Sequence, residues 1–479
     1  MRKKNKRLSF EKVEVLRAGA KGKAIGKVPD GRVIFLSNAV PGDVVDVMTT
    51  KMRKAYLEGV ATRFHKLSDK RAIPVCQHFG VCGGCKWQDM AYDYQLEYKE
   101  KEVADNLRRI GHLAIPDISP IIGSRKQYFY RNKLEFSFSD SRWLTREEIS
   151  ATVEIEDRNA LGFHIPGMWD KVLDIKKCHL QKDPSNAIRL EIKQFANSRG
   201  LTFFNPRQQK GLLRTLMIRT ASTGETMVVL QFYEDNRQDR ELLLEHIDAT
   251  FPEIDSLLYV INQKPNDTLY DQEICCFRGK DFIIEEMEGL RFRVHAKSFY
   301  QTNSEQAYEL YKVVRDFAGL TGKELVYDLY SGTGTIAQFV ARHAARVVGI
   351  EAVPDAIHAA RINAADNGIS NATFFVGDMK SIFNSEFIAT NGKPDVVITD
   401  PPREGMHKDV VGQILEICPE KVVYVSCNSA SQARDLALMK EAYHISKIQP
   451  VDMFPQTHHV ENVVLLEKRP ERIKIDPLS

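Results

Sequence analysis

Two apolar runs of strand length break abruptly into reactive polar residues, and they restrict the carboxyl-terminal part of this 479-residue chain to an open α/β sheet. One is Val422-Val423-Tyr424-Val425-Ser426-Cys427-Asn428. The other is Asp395-Val396-Val397-Ile398-Thr399-Asp400-Pro401-Pro402-Arg403-Glu404-Gly405. Ligands of such a sheet bind outside the carboxyl ends of its strands, so Cys427 and Asp400 are expected at neighbouring strand tips. Downstream, Met453-Phe454-Pro455-Gln456-Thr457-His458-His459-Val460-Glu461 brings a carboxylate to a third loop, just before the apolar run 463–466.

The segment ahead of these runs supplies a cofactor pattern. Phe299-Tyr300-Gln301-Thr302-Asn303 precedes a helical run through Tyr308, Leu310, Tyr311, Val314 and Phe317. Glu324 to Ala337 then reads as strand, glycine turn (Tyr330-Ser331-Gly332-Thr333-Gly334) and helix. The next strand, Val347-Val348-Gly349-Ile350-Glu351, ends in an acid 19 residues beyond Gly332. Glycines allow close backbone approach and the acid can hold ribose hydroxyls, the arrangement of a Rossmann-like nucleotide site. Asp378 closes a third strand, where it can meet an adenine amino group. A hydride-transfer enzyme has no use for an Asp-Pro-Pro loop beside a strand-end thiol, which favours S-adenosylmethionine over a dinucleotide.

Charge separates the front of the chain from the rest. Residues 1–75 hold 18 Lys and Arg against 7 Asp and Glu, leaving 49 against 57 for the remainder and an overall +3. A basic front on an acidic body suits a polyanion partner, most simply nucleic acid, although a Lys-rich tail that only aids solubility would give the same numbers. The basic start, Met1 to Phe10, is followed by no apolar stretch and does not read as a signal peptide. No run reaches membrane-spanning length; cytoplasmic residence is expected.

Within the front module, Val13–Leu16, Ala24–Val28, Arg32–Leu36, Asp43–Val47 and Ala55–Ala61 alternate apolar and polar residues between Gly- and Pro-containing turns. Five short strands with basic loops predict a small closed barrel of the oligonucleotide-binding kind, and the stretch resembles a TRAM domain. Next, Cys76, Cys82 and Cys85 fall within ten residues, with Gly80, Gly83 and Gly84 between them. That is a metal-site signal, with Cys178 the best fourth ligand. Zinc and an iron–sulfur cluster both accept four thiolates, and spacing does not separate them. His78 and His179 are read as neighbours of the site.

Residues 93–112 carry a helical apolar pattern stopped by Gly111. A β-rich stretch follows, with strands expected at 130–138, 160–164, 216–220 and 227–231. Cys275 and Cys276 are read as core residues and Cys418 as a buried strand cysteine.

C5 of a pyrimidine is too poor a nucleophile to attack a methyl sulfonium unaided, so a nucleophile must first add to C6. A strand-end thiolate does this well, which points to Cys427. A base must then remove the C5 proton, and Glu461 is placed for it, with His458 or His459 as alternatives.

On Asp400-Pro401-Pro402-Arg403-Glu404-Gly405, Tyr424-Val425-Ser426-Cys427-Asn428, and Phe454-Pro455-Gln456-Thr457 with Glu461, the chain resembles the RNA uracil-5-methyltransferase family, in particular its ribosomal-RNA branch. The resemblance implies Cys427 as nucleophile and Glu461 as proton acceptor. It places S-adenosylmethionine against Gln301, Tyr330, Thr335, Glu351 and Asp378, with Asp400 near both cofactor and base. It also implies a [4Fe-4S] cluster on Cys76, Cys82, Cys85 and Cys178. Ser331 and Ser429 stand where relatives often carry cysteine and proline.

The implied fold is α/β: a TRAM barrel (1–70), a β-rich iron–sulfur central domain (71–295) and a Rossmann-like class I methyltransferase domain (296–479). The expected partner is 23S rRNA, bound by a monomer with no membrane attachment. A tRNA substrate with the same chemistry, or a non-catalytic RNA-binding protein on this fold, are the alternatives.

Overall fold

The computed structural model describes residues 7–151 and 157–470; the basic stretch Arg2–Lys6 lies outside the described residues. Five strands, Ser9–Ala18, Ala24–Lys27, Val33–Ser37, Val44–Met52 and Tyr56–Lys66, close into a barrel. Their alternation puts Val13, Val15, Ile34, Leu36, Val45, Val47 and Leu57 inside, as a period-2 pattern requires.

A seven-stranded sheet occupies the middle, in the order Cys275–Gly279, Ser256–Ile261, Thr226–Phe232, Leu213–Thr220, Lys133–Ser139, Ala160–Ile165 and Met168–Asp174. The strands expected from sequence near 134, 161, 217 and 228 are all present. Cys275 and Cys276 are not core residues: Cys275 is half-buried and Cys276 exposed, because their strand is an edge of this sheet and its outer face lacks a covering element. The hairpin Phe282–Met287 and Leu290–His295 packs Ile283, Phe292 and Val294 into one core with Val326 and Val347 of the catalytic sheet.

That catalytic sheet has the order Ala372–Val376, Arg346–Glu351, Leu325–Leu329, Val396–Thr399, Lys421–Ser426, Glu461–Lys468, Tyr443–Val451. The first five strands are parallel and the last two pair antiparallel. The order reverses at Leu325–Leu329, creating the crevice in which doubly wound sheets take nucleotides. Near-continuous apolar strands such as Val396–Thr399, buried throughout, are what two helical layers demand. Cys418 is half-buried, not in a strand: it ends the helix Lys408–Ile417 in a left-handed conformation, φ 50°.

The helix Tyr92–Arg109 precedes the middle sheet in sequence yet packs on the catalytic unit. Val103 and Leu107 share a core with Ala433, Leu436 and Tyr424, and Asn106 Nδ2 donates to Ser429 Oγ at 2.8 Å. Its buried face also reaches the loop before Glu461. Lys99 Nζ donates to Asp452 Oδ1 at 2.6 Å and to the Phe454 carbonyl at 3.1 Å, both ion-pair side chains being fully buried. Tyr92 and Gln95 add hydrogen bonds to Asp452 and Gln456.

Candidate active site

Strand register brings the candidate residues to one sheet edge. Val425 pairs with Val463 and Ser426 with Asn462, so Cys427 directly follows the last residue of one paired strand and Glu461 opens the other, and the Glu461 charge reaches the thiol. On the other side, Tyr424 is level with Thr399 and Thr399 with Leu329. The tips carrying Cys427, Asp400 and Tyr330 therefore line one edge.

Local chemistry fixes Cys427. Asn428 caps the helix Ser429–Met439, its side chain accepting from the Ala430 amide at 3.2 Å, and donates to the Arg403 carbonyl at 2.9 Å. Ser431 Oγ donates to the same carbonyl. These bonds tie the Asp-Pro-Pro-Arg loop to the thiol's own helix. Cys427 is half-buried, and burial, then the negative charges of Glu461 and Asp400, push its pKa up to about 11, with Arg403 partly opposing them. The thiol is thus protonated at neutral pH in the RNA-free protein.

Glu461 is 5% exposed, and burial with the Asp400 charge pushes its pKa up to about 8. Burial lifts Asp400 to about 7. Two acids held this close to neutrality share protons as a unit. The rings of His458 and His459 lie 4.1 Å apart between centres, tilted by 36°, and burial followed by neighbouring charges lowers them to about 4 and 3. Both rings are neutral, and bases that weak hold protons poorly, so Glu461 is the better-tuned acceptor.

The cofactor candidates surround the glycine turn. Gly332 N donates to Glu351 Oε2 at 3.1 Å and Val353 N to Oε1 at 3.0 Å, which orients that carboxylate at its strand end. Gly334 has φ 74°, and a Cβ there would sit 2.7 Å from the Phe374 ring, so only glycine fits. Tyr330, also in the left-handed region at φ 64°, has its phenol pushed up to about 12 by burial and by Asp378, Asp435 and Glu351. Thr335 opens the helix Thr335–Ala341 and is buried. Gln301 is buried before the helix Ser304–Ala318, and Asp378 accepts from the Lys380 amide.

Asp328, which the sequence reading did not single out, lies buried beneath this turn. Neither of its oxygens has a hydrogen-bond partner, and burial, then the Asp400 charge, raises its pKa well above the carboxylate range. Ser331 Oγ and Thr399 Oγ1 are likewise buried and unpartnered. Unsatisfied polar atoms at three adjacent positions fit a polar ligand seated across the strand tips. The signal available in sequence was an acid two residues before Tyr330, inside an apolar strand.

The four cysteines at the other candidate site face one cavity of about 220 Å³ with Phe79, Phe163 and Leu180. Burial and one another's charges push Cys82 and Cys85 up to about 12 and 11. Cys178 is anchored by the Asn186 side chain at 2.8 Å. His78 Nε2 accepts from the Lys176 amide, which leaves it a neighbour. Among the described residues, no three His, Cys, Asp or Glu side chains are placed to hold a single metal ion.

Comparison with known proteins agrees with this geometry. Residues 277–469 match the tRNA (Uracil-5-)-methyltransferase family, and residues 9–62 match the TRAM domain. An RNA methyltransferase of Bacteroides thetaiotaomicron is 58% identical over 94% of this chain and 100% of its own length. The chain belongs to the RNA (uracil-5-)-methyltransferase family. Another RNA methyltransferase, of Porphyromonas gingivalis, is 53% identical over 96% of this chain and 100% of that protein. Among solved structures, the tRNA (uracil-54, C5)-methyltransferase of Pyrococcus abyssi, in complex with S-adenosyl-L-homocysteine, superposes with a TM-score of 0.72 at 28% identity, covering 95% of this chain and 100% of that one. The protein is an S-adenosylmethionine-dependent RNA methyltransferase of class I fold, with an amino-terminal TRAM barrel. Among the described residues no helix is long and apolar enough to cross a membrane.

Proposed function

We propose that this enzyme methylates C5 of a uridine in 23S rRNA through a transient bond between Cys427 and C6 of the base. The observation that carries the reading is a thiol at the end of one strand within reach of the charge of a buried carboxylate on the neighbouring strand, beside a cofactor crevice. The target base leaves its stack to reach this rim. Cys427 loses its proton to solvent water at the rim, and its thiolate sulfur adds to C6, moving the C5–C6 electron pair onto the C4 carbonyl oxygen and making C5 nucleophilic. S-adenosylmethionine, when bound against Gln301, Tyr330, Thr335, Glu351 and Asp378, supplies the methyl group that C5 takes. Glu461 then removes the C5 proton, the C5–C6 double bond re-forms, and the sulfur–carbon bond breaks with its electron pair returning to Cys427. Asp400, whose charge raises the pKa of Glu461, keeps that carboxylate basic enough for the task.

Three units share the work: an RNA-binding barrel (1–70), a middle unit (71–295) and a catalytic unit (296–479), acting as a cytoplasmic monomer. In the middle unit, Cys76, Cys82, Cys85 and Cys178 would hold a [4Fe-4S] cluster. Four thiols around a single cavity supply the ligand set that such a cluster takes. When bound it would tie the loop 76–85 to Cys178.

A tRNA target is the second reading, favoured by the likeness to the Pyrococcus abyssi enzyme. Mapping 5-methyluridine in 23S rRNA and tRNA from cells with and without this protein decides between them. Loss from 23S rRNA alone is expected; loss from tRNA alone transfers the assignment, and no loss from either removes it.

A further inference from the structure

The amino-terminal barrel touches the catalytic rim directly. Lys86 N and Trp87 N both donate to the Gln456 carbonyl, at 2.8 and 3.1 Å, and Trp87 Nε1 donates to the Gly22 carbonyl at 3.3 Å. A Cβ on Gly22 would sit 3.0 Å from Lys86 Cβ and 3.3 Å from His458 Nδ1. The barrel turn Ala20–Gly22, the segment following the third cysteine and the loop leading to Glu461 thus form one three-way junction.

Two parts of this junction, the barrel turn and the segment after the third cysteine, present positive charge. Lys21 and Lys86 are exposed. Unlike Lys23, which pairs with Glu58, and Lys99, which pairs with Asp452, neither makes an ion pair among the described residues. The charges of both reach His458. Arg403 links the junction to the chemistry, since its charge reaches His458, His459, Cys427 and Glu461. Two neutral imidazoles form the floor and contribute no negative charge to balance these cations.

We infer that Lys21 and Lys86 form a phosphate saddle at the mouth of the active site, seating the RNA backbone next to the target uridine. The inference rests on the RNA-methylating reading above and deepens it: the barrel grips the strand at the reacting nucleotide and does not merely tether RNA at a distance. Phosphates are the only part of the substrate with a charge to match unpaired lysines, and lysine serves them as a point charge. Lys21 lies on the barrel and Lys86 on the middle segment, which Trp87 ties to the barrel turn, so the saddle exists only when those two are docked.

The test uses full-length protein, tritiated S-adenosylmethionine and total RNA from a strain lacking this protein, over a series of KCl concentrations. The K21Q/K86Q variant is compared with K27Q/K54Q, which removes two exposed barrel charges elsewhere. Each lost phosphate contact lowers the slope of log KM against log salt by about 0.7–0.9. The junction pair is therefore expected to lower it by roughly 1.5 and raise KM for RNA about tenfold near 0.15 M KCl, with kcat at saturating RNA and S-adenosylmethionine binding unchanged. An unchanged slope in K21Q/K86Q, or an equal loss in K27Q/K54Q, overturns the saddle. A wild-type protein that labels no RNA overturns the reading beneath it, a result distinct from either.

Discussion

Replacing Glu461 by glutamine tests whether the active site stores an electrostatic penalty. Burial and the Asp400 charge raise this carboxyl from 4.5 to about 8. A carboxyl whose pKa is higher folded than unfolded stabilises the fold fully below its unfolded value, near pH 4.5, and that contribution is lost as pH rises through about 8. Each pKa unit corresponds to about 1.4 kcal/mol, so the shift from 4.5 to about 8 sets a ceiling of about 5 kcal/mol between pH 4.5 and 9. Roughly 2–4 kcal/mol is the expected observable, because Asp400 shares the proton. Glutamine does not titrate and keeps the shape. At 2–4 °C per kcal/mol for a unit of this size, E461Q should melt about 5–10 °C above wild type at pH 9 and with no such gain at pH 5. Differential scanning fluorimetry from pH 5 to 9 measures it. The same substitution removes one of the charges that raise the Cys427 pKa, so alkylation of Cys427 by iodoacetamide at pH 8.5 should quicken. Melting curves that stay parallel across the whole range would refute the buried-pair argument.

Other consequences are as direct. With the thiol near 11 and its partner base near 8, single-turnover methylation should rise steeply from pH 6 to 8 and continue to climb, about tenfold per unit, to pH 9; a plateau from pH 6.5 would show that the thiol is already ionised. Lys99→Met leaves Asp452 buried without its cation and should cost about 3–5 kcal/mol by urea unfolding, whereas a loss under 1 kcal/mol would mean that the helix Tyr92–Arg109 does not brace the loop before Glu461. Anaerobically purified protein should carry iron and acid-labile sulfide in equal amounts with a broad absorbance near 400 nm, both lost in Cys85→Ser; stoichiometric zinc in place of iron would contradict the cluster.

The catalytic edge was legible because buried parallel strands leave an unmistakable mark: apolar runs such as 396–399 and 422–425 that stop where chemistry begins. The barrel followed from alternation, and its last two strands run longer than expected because polar residues at their ends, Lys51 and Lys66 among them, still join the backbone ladder. Partnerships between distant segments were not legible. Nothing in Lys99 or Asp452 announces that 353 residues of chain close to bury them together. Cys276 looked like a core residue because its neighbours are apolar, but sheet order put its strand at an edge. The thiol's protonation was also beyond sequence: Cys427 is flanked by polar residues, and only the fold adds two carboxylates to its surroundings. Arg403, named in sequence only as part of the Asp-Pro-Pro loop, brings its charge to the sulfur and partly opposes those carboxylates.

The central claim is a sulfur–carbon bond, and RNA carrying 5-fluorouridine at the target tests it most directly. Fluorine cannot leave C5 as a proton does, so elimination should stall after methyl transfer and a stable protein–RNA adduct should accumulate with S-adenosylmethionine present. Mass spectrometry of the digested adduct should then place a methylated fluoropyrimidine on the peptide containing Cys427, with no adduct in Cys427→Ala. An adduct on any other side chain, or free 5-methyluridine formation by Cys427→Ala on ordinary RNA, would contradict the account.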